Sequence, residues 1–169
     1  MTGDKLVDAR RMFKHACEFM DCAKFCESEP KNIRVSCTTH LVADIVNSSF
    51  ACEVFIKSLL IYHGKTIEAI HGHKLDILWN KYRAVDSENA ALVERSMKEF
   101  FGSSNNNMFN EHLLNISDAF QYWRYIYEKQ EGSIQLQFLR IFREMLREVC
   151  CKKLHGMTWD EFINIKNRS

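Results

Sequence analysis

A chain of 169 residues with 46% hydrophobic and 27% charged residues has the make-up of one folded domain, which excludes disordered and low-complexity classes. One proline, Pro30, and six glycines leave too few breakers for a sandwich or barrel, which needs a turn about every 8–12 residues. The 23 basic and 22 acidic residues sum to a formal charge of +1, so no whole-molecule field draws the chain to polyanions, and any such binding must come from a local patch.

Helical periodicity dominates. A first helix is expected from Asp4 to about Glu29, with Leu6, Phe13, Phe19 and Met20 toward the core, stopping before Pro30. A second runs from about Thr38 to His63 and ends at Gly64, a residue suited to the left-handed turn that closes helices. The polar connection from Gly64 to His73 leads into a short helix through Leu75, Leu78, Trp79 and Tyr82. Ser87 to Phe101 forms the next helix, and residues 102–107, Gly-Ser-Ser-Asn-Asn-Asn, are the clearest loop. A long helix is expected from Met108 to Lys129, ended by Gln130 to Ser133, and a last long one from Ile134 to His155, capped by Gly156. Thr158 and Glu161 then have the spacing of a capping box. With neither an internal repeat nor a linker, residues 1–169 read as a single all-α domain: an antiparallel up-and-down four-helix bundle with short additional helices.

Compartment and cofactor follow from smaller signs. Met1 to Lys5 carries no apolar run of the secretory kind. The apolar stretch Phe55 to Tyr62 is interrupted by Lys57 and falls short of the roughly 20 residues that cross a bilayer. Seven cysteines, an odd number without paired spacing, read as reduced thiols. The expectation is a cytoplasmic protein with no membrane contact. His63, His71 and His73 cluster near one loop, and Cys22 and Cys26 share a helical face, but neither CxxC nor HExxH occurs. No metal and no cofactor is expected, and a Gly-rich phosphate loop is absent.

Two helices hold the informative residues. On the second, Phe50, Val54 and Ile61 define one apolar face and Phe55 and Leu59 cover the opposite side, the pattern of a central helix. Glu53 and Lys57 project inside that apolar surface, either as an i,i+4 ion pair at an open edge or as a polar site between helices. On the helix from Met108, Arg124 and Glu128 stand one turn apart among Phe120, Tyr122, Trp123, Tyr125 and Tyr127. These rings are either a core stripe with a solvated Arg–Glu bridge, or a base-stacking surface beside a guanidinium that a carboxylate holds toward phosphate. Arg140, Arg143 and Arg147, interleaved with Glu144 and Glu148, read as a solvated face of the last long helix. That helix is also apolar on two sides, Leu139, Phe142, Leu146 and Val149 on one and Phe138, Ile141 and Met145 toward the other, which suggests a homodimer.

The order Ala51-Cys52-Glu53-Val54-Phe55-Ile56-Lys57-Ser58-Leu59-Leu60, then Gly64, His71-Gly72-His73-Lys74-Leu75 and Trp123-Arg124-Tyr125, resembles the HEPN domain family over about Asp4 to Gly156. The resemblance implies an up-and-down helical bundle, frequently dimeric, in a family of nucleotide- or RNA-binding modules and metal-independent ribonucleases of toxin–antitoxin and antiphage systems. Its ribonucleases place a histidine beyond an arginine with four to six residues between the two. Counted from Arg124, those positions are Lys129, Gln130 and Glu131, which lack an imidazole. Arg10 to His15 and Arg34 to His40 have the spacing but lie at the wrong points of the chain.

The resemblance therefore implies a non-catalytic nucleotide- or RNA-binding module of a prokaryotic stress or defence system. Arg124, held by Glu128, would meet phosphate; Trp123 and Tyr125 would line the pocket; Glu53, Lys57 and His73 would complete its polar wall. Its partners would be a second copy and an antitoxin or nucleotidyltransferase protein. The alternatives are a ribonuclease toxin with His73 or His112 standing in as base, and a dimeric interaction module whose site has decayed.

Overall fold

The chain was described from a computed structural model, which covers residues 2–27, 40–129 and 131–167. Its most apolar helix, α2 (Leu41–Tyr62), lies at the centre, buried on all sides through Ile45, Ala51, Phe55, Ile56, Leu59 and Leu60. Around it lie α1 (Lys5–Glu27), α3 (Leu75–Arg83), α4 (Ser87–Phe100), α5 (Met108–Ile116), α6 (Ala119–Arg124), α7 (Leu136–His155) and α8 (Trp159–Lys166). Single 3-10 turns occupy Glu68–Ile70 and Ile126–Glu128, and no strand occurs among the described residues. The fold is the all-α bundle that the sparse breakers and helical periodicity require.

Side-chain contacts fix the helix directions. Ser58 near the end of α2 donates to the carbonyl of Ala9 near the start of α1 at 2.8 Å, while Phe19 and Phe50 meet edge-on at 4.5 Å, so α1 and α2 are antiparallel. Arg143 reaches Ser48, and Cys150 reaches the carbonyl of Phe55, so α7 runs parallel to α2. At the start of α4 Asp86 meets Lys153, and at its end Phe101 packs on Phe138, so α4 runs opposite to α7. The up-and-down alternation is therefore carried by α1, α2, α4 and α7. Gly64 (φ +84°) and Gly156 (φ +72°) close α2 and α7 in the left-handed conformation that a side chain disfavours.

The structure corrects several expectations. The helix expected over Met108 to Lys129 is broken: α5 stops at Ile116, α6 spans Ala119–Arg124, and a 3-10 turn follows. The cause is tertiary. Ser117 gives its carbonyl to the N–H of Leu75 at 3.2 Å and its hydroxyl to Asp76, so the chain leaves the helical path there to seat α3. Leu6 is 37% exposed rather than in the core, which Phe13 and Met20 do enter. By length and composition the whole of α2 could cross a membrane, unlike the shorter run read from the sequence, but 67% of its most apolar window is buried inside the bundle.

The arginines of α7 do not form a solvated face. Arg143 is buried, and Arg147 keeps only 14% of its side chain exposed, stacked 4.3 Å over the Trp159 ring. The second apolar side of α7 is also covered in part by the chain itself, since Phe138 packs on Phe101, Phe109 and His112. The expected helix stop before Pro30, the start at Thr38, the Arg34–His40 spacing and Gln130 lie outside the described residues.

Candidate functional site

Glu53 is turned from the middle of α2 into the gap between the α2–α3 connection and α6. It is buried, at 2% exposed, and two hydrogen-bonding partners offset the cost of that burial. Lys57, one turn on, donates to Oε1 at 2.7 Å, and the Nδ1 atom of His73 lies 3.1 Å from both carboxylate oxygens. Lys57 is itself largely covered, whereas His73 keeps 42% of its side chain in solvent. The two sequence readings of Glu53 and Lys57 thus merge: the pair is an i,i+4 bridge, and it is also one side of a polar site completed by His73.

Phe120 on α6 joins this group to the arginine. Its ring stacks on Phe50 at 4.7 Å and lies 5.8 Å from the His73 ring. Arg124 follows one helical turn later and lays its guanidinium 5.0 Å from the centre of the Phe120 ring and 4.8 Å from that of Tyr125. Its Nη2 donates to the Tyr125 hydroxyl at 3.0 Å. Phe120 therefore links Arg124, with Tyr125 beside it, to His73 and through His73 to Glu53 and Lys57.

Two predicted members are not so linked. Among the described residues Glu128 makes no ion pair with Arg124. The helix ends at Arg124, and Tyr125 (φ −115°, ψ 26°) leaves the α-helical path and removes the i,i+4 register on which that pair depends, so Glu128 is exposed on the 3-10 turn. The arginine is held by two aromatic faces instead. Trp123 is 8% exposed and packs beside Ile126 and Gly132, where a Cβ on the glycine would meet the indole at 3.2 Å. It lines a different cavity, of about 450 Å³, with Leu114, Asp118, Tyr122 and Gly132.

No protein family, curated protein or solved structure matches this chain. Its function must be read from the geometry.

Beside Arg124 the surface is aromatic and cationic. Tyr125 (41% exposed) and Tyr127 (76% exposed) place their ring centres 6.3 Å apart, and the Lys129 ammonium lies 5.9 Å from the centre of the Tyr122 ring. Rings in solvent with cations on or beside their faces can stack on bases and meet phosphates. Sequence reasoning missed the pivotal role of Phe120 and the share of Tyr127 and Lys129. The aromatic run was visible, but which rings face inward was decided by the break at Ser117.

The remaining histidines have other settings. His112 packs beside the rings of Phe101 and Phe138. His63 lies 3.1 Å from Asp86 at the far end of α2. Among the described residues no group of three or more His, Cys, Asp or Glu side chains could hold a metal ion.

Proposed function

We propose that this chain is a cytoplasmic HEPN-like bundle of a prokaryotic stress or defence system, whose α6 edge binds a nucleotide or a short single-stranded RNA segment. The observation that carries the reading is the exposed guanidinium of Arg124, which rests on Phe120 and Tyr125 and pairs with no carboxylate among the described residues. An arginine spread over aromatic faces keeps its outer N–H groups for a phosphate while the flanking rings accept a base. Lys129 adds charge at one end of the edge, and the Glu53–Lys57–His73 group supplies polar atoms at the other. A second copy is part of the proposal, with Ile141 and Met145, half-buried on α7, as candidate contacts. An antitoxin or nucleotidyltransferase is the class of protein partner that the family resemblance suggests.

The test is a titration with adenine nucleotides and short oligonucleotides at low salt. Arg124→Ala should weaken binding by about 1–3 kcal/mol, the scale of a charge-assisted contact. Wild-type protein that binds none of them would end the reading and leave the interaction module as its successor.

One contact favours a catalytic variant of the same site. With Nδ1 of His73 on both oxygens of buried Glu53, the imidazole is oriented from behind, and its Nε2 is the atom that can take a proton. The arginine shares the Phe120 ring with it. Cleavage of RNA in the presence of a metal chelator, lost in both His73→Gln and Arg124→Ala, would make the protein a ribonuclease. Chelator-treated protein inert toward RNA would remove that variant alone.

A further inference from the structure

Elsewhere in the bundle, α8 packs against the core through its half-buried Trp159 and Phe162 rings. None of its residues is fully buried, yet it is firmly begun: Thr158 and Glu161 form a reciprocal capping box, and the N–H of Trp159 donates to Glu148 at 3.1 Å. Between α8, α1 and the end of α7 lies a cavity of about 380 Å³. Its walls are rings. Phe162 lies 4.5 Å from His155, 5.8 Å from Trp159 and 6.2 Å from Phe13. Its rim is cationic: Arg10, Lys14 and Lys166 border it, and no carboxylate does.

The cations are fixed or available. Arg10 is held by the end of α7, donating from Nε and Nη2 to the carbonyl of Leu154 at 2.9 and 2.7 Å. Lys166 lies 5.3 Å over the Phe162 ring and forms no ion pair among the described residues. Lys14 meets Glu18 only at 3.9 Å, both side chains in solvent, a contact worth little. A concave, mostly apolar space with a few convergent charged groups is the form of a small-molecule site, and this volume is at the small end of that class.

We propose that this cavity binds a small planar aromatic anion, its ring among Phe13, Trp159 and Phe162 and its carboxylate or phosphate at Arg10, Lys14 and Lys166. An aromatic body matches walls that offer edges and faces of rings, and an anionic head matches a rim of one sign. A neutral ligand would leave the rim charges unanswered, and an inorganic anion would leave the rings unused. No residue of α6 borders the cavity, so the site is separate from the Arg124 edge.

The probes are 2-naphthoate and 2-naphthyl phosphate, titrated calorimetrically into the whole chain at low salt, with 2-naphthalenemethanol as the uncharged control. Saturable one-to-one binding of either anion is expected, and the tighter of the two identifies the head group. The alcohol and the double variant Lys14→Gln/Lys166→Gln should each bind about tenfold or more weakly, the loss of a charge-assisted contact. Both lysines are exposed, so the variant should melt as wild type does. Arg124→Ala should leave naphthoate binding unchanged, which separates this test from that of the nucleotide edge. Absence of saturable binding, equal binding of the alcohol, or unchanged binding by the double variant would each overturn the proposal.

Discussion

Arg143 on α7 donates from Nη1 to the hydroxyl of Ser48 on α2 at 2.6 Å, with only 1% of its side chain exposed. Ser48 in turn donates to Asp44 at 2.9 Å, Arg140 donates from Nε to the same carboxylate at 3.0 Å, and Glu27 of α1 accepts from Arg143 Nη2 at 2.7 Å. Three helices thus meet through a polar lattice centred on buried Arg143, Ser48 and Asp44, in addition to their apolar core. Removing one member of such a lattice strands the charges that remain. Arg143→Ala should destabilise the fold by about 3–5 kcal/mol, measured by urea unfolding. A loss below about 1 kcal/mol would show that water or the remaining ions replace it.

Glu53 and His73 yield a prediction independent of any ligand. With the carboxylate 3.1 Å from Nδ1, a neutral His73 should carry its proton there and donate it to Glu53. Nitrogen-15 spectra of the imidazoles should show the Nδ1–H tautomer for His73 in wild type and its loss in Glu53→Ala. The same substitution leaves the largely covered Lys57 without its carboxylate and should cost about 1–3 kcal/mol of stability. An unchanged tautomer would show that the carboxylate does not orient the ring.

Trp123 and Tyr125 are neighbours in the chain with opposite duties. Trp123→Ala removes a buried indole and should cost about 3–5 kcal/mol in unfolding free energy. Tyr125→Ala should change stability by less than about 0.5 kcal/mol, because its ring is exposed. Under the nucleotide proposal Tyr125→Ala should also weaken binding by about 1–3 kcal/mol, the usual loss of a base–ring stack. Equal destabilisation by the two substitutions would contradict the assignment of faces.

Asp86 caps α4 and sets an acid limit on the fold. Burial alone would raise its carboxyl pKa, but the donors of Asn89 and the ammonium of Lys153 overcome that and hold it well below the usual carboxylate range. A depressed folded-state pKa stabilises fully above the unfolded value of about 3.9 and is lost as the pH falls toward the folded one. Asp86→Asn should therefore melt lower than wild type at pH 7, and the gap should narrow from about pH 4 downward. Melting curves at several pH values decide it; a gap constant in acid would count against the assignment.

The cysteines should react in order of exposure. Burial pushes the Cys17 and Cys52 thiols up to about 12 and that of Cys150 well above its ordinary value, whereas Cys22 is exposed. Thiolate is the reactive form. With a disulfide reagent at pH 8, Cys22 should be labelled before Cys52 and Cys150, which should react only on unfolding, as peptide mass mapping would show. Early labelling of Cys52 or Cys150 would reveal local opening of α2 or α7.

Composition and periodicity alone determined an all-α chain, the central place of α2, the glycine stops at Gly64 and Gly156 and the capping box at Thr158, because each depends on local backbone preference or on apolar spacing along one helix. Glu53 and Lys57 were also visible there as charges in an apolar sector. The partner of Arg124 was not. An i,i+4 rule places Glu128 beside it only while the helix continues, and α6 ends at Arg124, with a 3-10 turn after it. The same limit hid Arg143, whose alternation with glutamates looks solvated until α1 and α2 enclose it. Local pattern fixes which residues share a face. Only the packed tertiary structure decides whether that face meets water, because burial depends on elements distant in sequence.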